Sequence, residues 1–141
     1  MKALFLAFVF TILIVSSVNA QSTLALQEKC VEGAKKLVLE TGGCGTTSEK
    51  GFLLSCQYRC HYNKKLDRCF IRWDLHTFWD KKYADLVGRN YTIRIEFGDV
   101  FERRLIGQYD KSIVFGECKV GDKKCNSLEE FEALIKPYME E

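Results

Sequence analysis

The residues of this chain best suited to chemistry are its seven cysteines and two histidines. The densest grouping is Cys56-Gln57-Tyr58-Arg59-Cys60-His61. It comes within one residue of Cys-x-x-Cys-His, the spacing that attaches haem covalently. His61 would then be one axial ligand, with His76 or Met139 opposite. This is the alternative reading of the chain: a small periplasmic redox or haem protein using Cys56, Cys60 and His61. Strand alternation argues against it, because it puts His61 on the opposite face from both cysteines. Cys56, Cys60, His61 and Cys69 also offer zinc-type ligands, but thiols in an oxidising compartment pair with each other instead. A free cysteine acting with His61 or His76 as a nucleophile lacks a Cys-x-x-Cys motif and an orienting third group. Asp74, Asp80 and Asp85 lie near aromatic residues, as in many sugar sites, yet they read as solvated partners of Arg72, Lys81 and Lys82. This reading assigns no catalytic residue, no metal and no cofactor.

What remains for the cysteines is disulfide bonding. Lys2 is the only charge ahead of an apolar run from Ala3 to Val15, which ends at the small-residue site Val18-Asn19-Ala20. That is the pattern of a cleavable export signal over residues 1–20. It places residues 21–141, read as a single domain, in a secreted or periplasmic setting with no stable membrane anchor after cleavage. Without Lys2 the 21 basic residues fall to near parity with the 19 acidic ones. Such a balance argues against nucleic-acid binding, which calls for a strongly basic face.

Seven thiols cannot all pair within one chain. Cys118 and Cys125 flank a Gly-Asp turn and form the neatest local pair. Cys69 has two candidate partners, Cys60 across a hairpin or Cys30 from a helix above the sheet. Cys44 could reach Cys56 or Cys60. Connectivity and the identity of the odd cysteine stay open at this stage.

The elements that must position these residues follow from periodicity. Thr23 caps a helix from about Leu24 to Glu40, with Leu26, Cys30, Ala34, Leu37 and Val38 on one stripe, and Gly42-Gly43 stops it. A polar loop through Cys44 to Lys50 leads to a strand over Phe52 to Tyr62. A turn at Asn63 to Asp67 returns the chain as a second strand from Arg68 to His76. With a four-residue turn between Tyr62 and Asp67, Cys60 would face Cys69. Thr77 to Gly88 reads as a loop with at most a helical turn. A third strand covers Asn90 to Val100, and two shorter ones cover Leu105 to Tyr109 and Ser112 to Lys119. The turn between the third and fourth strands is placed at Phe101 to Arg103, although Gly98-Asp99 is the stronger local signal. Ser127-Leu128-Glu129-Glu130 is a capping box opening a last helix, which Pro137 should fray or kink. The fold class is α+β: an antiparallel meander sheet of about four or five strands, disulfide-stabilised, with the N-terminal and C-terminal helices packed on one of its faces.

One stretch of this framework has aromatics without a period. Phe78, Trp79 and Tyr83 form a candidate binding surface, since Trp and Tyr carry interface energy disproportionately. Asn90-Tyr91-Thr92 is a glycosylation sequon, relevant only in a host with that machinery.

Two longer segments carry a resemblance. His61-Tyr62-Asn63-Lys64-Lys65-Leu66-Asp67-Arg68-Cys69-Phe70-Ile71 contains Tyr-Asn-x-x-Leu-x-x-Cys-Phe, and Asp99-Val100-Phe101-Glu102 follows as an Asp-x-x-Glu hairpin. Together with the ending Glu129 to Glu140, they make residues 58–141 similar to a group of small exported bacterial proteins with no assigned function. The resemblance implies a bacterial periplasmic or secreted origin and supports the turn at Phe101 to Arg103. It implies no activity, cofactor or catalytic residue. Cys44, Cys56 and Cys60 lie outside its pattern, so it implies no disulfide scheme either. Taken together, the sequence predicts a non-enzymatic exported module that binds a protein partner in the envelope or extracellular space, or has a structural role there.

Overall fold

The structure, a computed structural model, describes residues 23–49, 51–111 and 116–140. The predicted export signal over residues 1–20 lies outside them, as do residues 112–115 of the strand predicted over Ser112 to Lys119. Helix α1 spans residues 23–40. Seven strands then form one antiparallel sheet in chain order: β1 (Thr46–Glu49), β2 (Phe52–Asn63), β3 (Arg68–Trp79), β4 (Tyr91–Asp99), β5 (Arg104–Asp110), β6 (Cys118–Val120) and β7 (Lys123–Lys124). Helix α2 (Lys81–Val87) joins β3 to β4, and α3 (Leu128–Met139) closes the chain.

The sheet is larger than the predicted four or five strands. β1 forms in the stretch read as a polar loop, pairing Thr46 with Ser55 through Glu49 with Phe52. β7 is a two-residue pairing across the Gly121-Asp122 turn. Strands this short exist through their partners and carry no period of their own. β3 runs three residues past His76 because β2 is long enough to pair with it, Phe52 opposite Trp79. The predicted loop after it holds α2, capped by the Asp80 carboxylate accepting from the Tyr83 N–H at 3.0 Å.

The two long helices cover opposite faces of the sheet, which corrects the expectation of a single covered face. Successive strand residues point to opposite sides. Cys69, Ile71 and Trp73 of β3 pack with Tyr58, Cys60 and Tyr62 of β2 against Cys30, Ala34, Leu37 and Val38 of α1. Phe70 packs with Ile95, Phe97, Tyr109 and Val120 against Phe131 and Ile135 of α3. Cys69, Phe70 and Ile71 are consecutive and all buried. An uninterrupted apolar run is what a strand covered on both faces requires.

The turn between β4 and β5 falls after Asp99, with Arg103 at φ 52°. The Asp99 carboxylate holds it by accepting from the N–H groups of Phe101 and Glu102, both at 2.9 Å. Gly98, the locally stronger turn signal, sits at a bulge, where the register shifts after Phe97. A Cβ there would come within 2.7 Å of the Arg104 carbonyl oxygen, so the glycine serves a close backbone approach.

Asn63 joins the sheet to α3. It is 1% exposed, and its carboxamide Nδ2 donates to the carbonyls of Pro137, Tyr138 and Glu140 at 3.0–3.3 Å. Its Oδ1 accepts from the Leu66 N–H at 2.9 Å, closing the β2–β3 turn. The last carbonyls of a helix have no intrahelical partner, so a buried amide donor placed there meets a need the backbone cannot. This explains why α3 continues through Pro137 to Met139 instead of fraying there. Asn63→Ala should therefore lower the stability by about 2–4 kcal/mol, from the loss of several buried hydrogen bonds. Urea unfolding with the disulfides intact checks this; a loss below about 0.5 kcal/mol would sink the assignment.

Candidate functional site

The hairpin register decides the cysteine pairing. Asn63 faces Arg68, so Cys69 lies opposite Tyr62 and Cys60 lies opposite Ile71. This register is two residues away from the one that would set Cys60 against Cys69, and it rules out that cross-strand bridge. Cys69 bonds instead to Cys30 of α1, with Cα atoms 5.4 Å apart. Cys44 bonds to Cys56 at 5.0 Å and Cys118 to Cys125 at 4.9 Å. Cys60 is the free thiol, half-buried on the α1 face. Burial pushes its pKa above the ordinary thiol value, partly opposed by its own backbone N–H.

Cys56, Cys60 and His61 do not converge. The Cys56 sulfur is committed to Cys44, and His61 stands on the α3 face, away from the Cys60 thiol. Cys69 is likewise committed, so the zinc-type set of Cys56, Cys60, His61 and Cys69 is dispersed. Among the described residues, no group of three or more His, Cys, Asp or Glu could hold a metal ion. Phe78, Trp79 and Tyr83 are also divided between faces. Phe78 is 44% exposed beside Leu53 and Tyr91, whereas Trp79 packs with Phe52 and Tyr83 on the other side. The three do not make one surface.

What the fold does assemble is an edge and a cleft. β1 covers β2 only as far as Ser55, beyond which the Cys56 N–H donates to the Gly45 carbonyl at 2.7 Å. The Tyr62 N–H also points away from β3 and is met by the Gln27 side chain of α1 at 2.9 Å. Main-chain groups alternate in direction along an antiparallel strand, so Tyr58 and Cys60 point outward as well. Among the described residues the Tyr58 N–H meets no acceptor, and the Cys60 N–H meets only its own thiol sulfur. Among the described residues, β2 therefore presents an open stretch of sheet edge centred on Cys60.

Beside this edge, on the α3 face, lies a cleft of about 440 Å³ lined by Arg59, His61, Arg72, Glu132, Lys136 and Met139. Cys60 lines it too, although its side chain packs on the other face, so the cleft reaches the main chain of the strand. Arg72 forms the floor. It is 7% exposed, donates through Nε to Asp74 at 2.8 Å, and through Nη1 to Glu132 of α3 at 2.6 Å. Burial disfavours its charge, but the two carboxylates more than offset that, and its pKa is raised. Arg72 thus pins α3 to the sheet and leaves Glu132 neutralised. Glu140 is similarly engaged by Lys136 at 3.5 Å. Arg59 makes no ion pair among the described residues, and the buried His61 Nε2 has no hydrogen-bond partner among them. The unused polar groups of the cleft are thus one cation and one imidazole nitrogen. That arrangement suits recognition of an acceptor or an anion.

Sequence alternation already placed Arg59 and His61 on one strand face. It could not reveal the cleft, because Arg72, Glu132 and Lys136 join it only through α3 packing. The thiol supplies a direct check. Non-reduced protein should take up one iodoacetamide, at Cys60, more slowly at neutral pH than free cysteine, with the rate still climbing above the ordinary thiol pKa. Intact mass against time reads both features, and two or more rapid additions would contradict the bridge assignment. No family model, curated protein or solved structure matches the chain.

Proposed function

We propose that the chain is an exported, non-catalytic binding module that takes an extended segment of a partner protein as an added strand on the open edge of β2. The observation that carries this reading is the outward main chain at Tyr58 and Cys60. Its N–H groups meet no other strand or side chain among the described residues, the Cys60 N–H facing only its own thiol sulfur. Unpaired strand edges are templates for further pairing, and natural proteins normally cover or blunt them. Main-chain hydrogen bonds then supply affinity, and side-chain pockets on either face supply selectivity. Three intrachain disulfides fit an oxidising extracellular or periplasmic environment. The likeness of residues 58–141 to small exported bacterial proteins points to the same address. The non-catalytic reading is supported by the cleft itself, where Arg72, Asp74 and Glu132 are engaged in docking α3.

A photocrosslinking residue placed at Gln57, beside the open edge, tests this in the secreting host. Gln57 and Glu129, a distant site on α3, are both exposed. Crosslinking to a discrete protein from position 57 and not from position 129 is the expected outcome. Crosslinks only from position 129, or equally from both, would move the interface off the edge and defeat the proposal.

A further inference from the structure

We infer that the segment received at the β2 edge carries two acidic side chains separated by one residue, which pair with Arg59 and His61. This rests on the edge-pairing reading above and adds the chemistry of the partner. A strand laid along β2 would set one of its residues opposite Cys60, within hydrogen-bond reach of the outward main chain. The residues on either side of that one come level with Arg59 and His61, on the α3 face. Directly opposed side chains on paired strands have Cβ atoms about 4.5–5.5 Å apart, close enough for a carboxylate to meet both groups.

The electrostatics of the cleft favour that occupant. Glu132 and Glu140 are engaged by Arg72 and Lys136, at 2.6 Å and 3.5 Å. Arg59 is the cation left without an ion pair among the described residues, and the His61 Nε2 can donate to a carboxylate in its Nε2–H tautomer. The 440 Å³ beneath them gives room for a Glu side chain. A second copy of this chain is a poorer fit. Antiparallel pairing about Cys60 would set Arg59 against the second copy's His61, with no acidic group between them. A basic strand would be repelled in the same way, so the edge charges select among strands instead of closing the edge to all of them.

Random heptapeptides displayed on phage and selected on the purified, disulfide-bonded chain provide the test. Enriched peptides are then synthesised, and their affinities for the wild type, Arg59→Gln, Cys60→Ala and Cys60→Pro are measured by fluorescence anisotropy. Proline at position 60 removes an outward N–H that serves no ladder bond and meets only the Cys60 thiol, which Cys60→Ala removes as well. An edge strand tolerates proline there. Unchanged circular dichroism and a three-bridge mass establish that each variant folds. The expected result is enrichment of Asp or Glu at positions i and i+2. Binding should weaken up to about fivefold in Arg59→Gln and on the order of tenfold when both acids are neutralised. It should be lost in Cys60→Pro and retained in Cys60→Ala. Peptides that require the residue-60 N–H but show no acidic spacing would overturn this inference and leave the edge reading standing. Acidic peptides indifferent to Cys60→Pro would overturn both, as would the absence of any enrichment. A dimer in sedimentation that Cys60→Pro dissolves would put a second copy at the edge and also overturn it.

Discussion

The side-chain amide of Asn63 is the constraint on which the rest of the arrangement depends. One buried group terminates β2, closes the turn to β3 and receives the last carbonyls of α3. Because it is inaccessible to water, none of these bonds can be exchanged for hydration without cost. The turn is reinforced by the Tyr62 hydroxyl donating to Asp67, and Asp67 itself lies at φ 52°. The hairpin register follows from this geometry. From the register follow the partner of Cys69, the isolation of Cys60 and the faces that Arg59 and His61 occupy.

The residues of the Tyr-Asn-x-x-Leu-x-x-Cys-Phe and Asp-x-x-Glu segments have folding roles. Tyr62 and Asn63 set the turn, Cys69 ties β3 to α1, and Phe70 stacks on Phe97 and meets the edge of Tyr138. Asp99 organises the next turn and accepts an ion pair from Arg68 at 3.5 Å. Cys69 and Phe70 join the sheet to the helices on either side, and Asp99 ties β3 to the turn after β4. Among the described residues, Arg59, the His61 Nε2 and the outward main chain of Tyr58 and Cys60 keep hydrogen-bonding capacity on the same strand. The buried end of β2 thus holds the fold, while its middle pairs with no strand beyond β3 among the described residues.

The two helices exert unequal holds on the sheet. α1 is bonded covalently through Cys30–Cys69, a closure spanning 39 residues, for which chain entropy suggests a contribution of about 4 kcal/mol. α3 has no such bond to the long strands. It depends on apolar burial of Phe131 and Ile135, on Arg72 and on Asn63. Its first turn is held by the Ser127 hydroxyl accepting from the Glu130 N–H, while the Glu130 carboxylate accepts from Asn126. The cleft lies under the helix whose attachment is non-covalent, so its shape is governed by packing and ion pairing.

Sequence alone determined the local elements whose signals are local. Strand alternation over Phe52 to Tyr62, the capping box at Ser127 and the glycine pair ending α1 need no knowledge of neighbours, because backbone geometry sets their periods and caps. The α+β class followed from them, and the disulfide-stabilised framework from the seven cysteines behind the export-signal pattern. Gly98 and Pro137 each have a strong local meaning that a non-local contact overrode, the Arg104 carbonyl in one case and the Asn63 amide in the other. The turn nonetheless falls at Phe101 to Arg103, as expected, whereas the fraying expected at Pro137 does not occur. Tertiary structure alone decided what depends on pairing across distance. Tyr62 opposite Cys69, the helices on opposite faces, β1 as a strand, and the division of Phe78 from Trp79 are all of this kind. A one-residue slip reverses the face of every side chain, and no single-strand pattern encodes the register of its partner. The candidate site belongs largely to this second class: alternation sets Arg59 and His61 on one face, but the cleft forms only when α3 packs there, and an edge is open only where no other strand lies beside it.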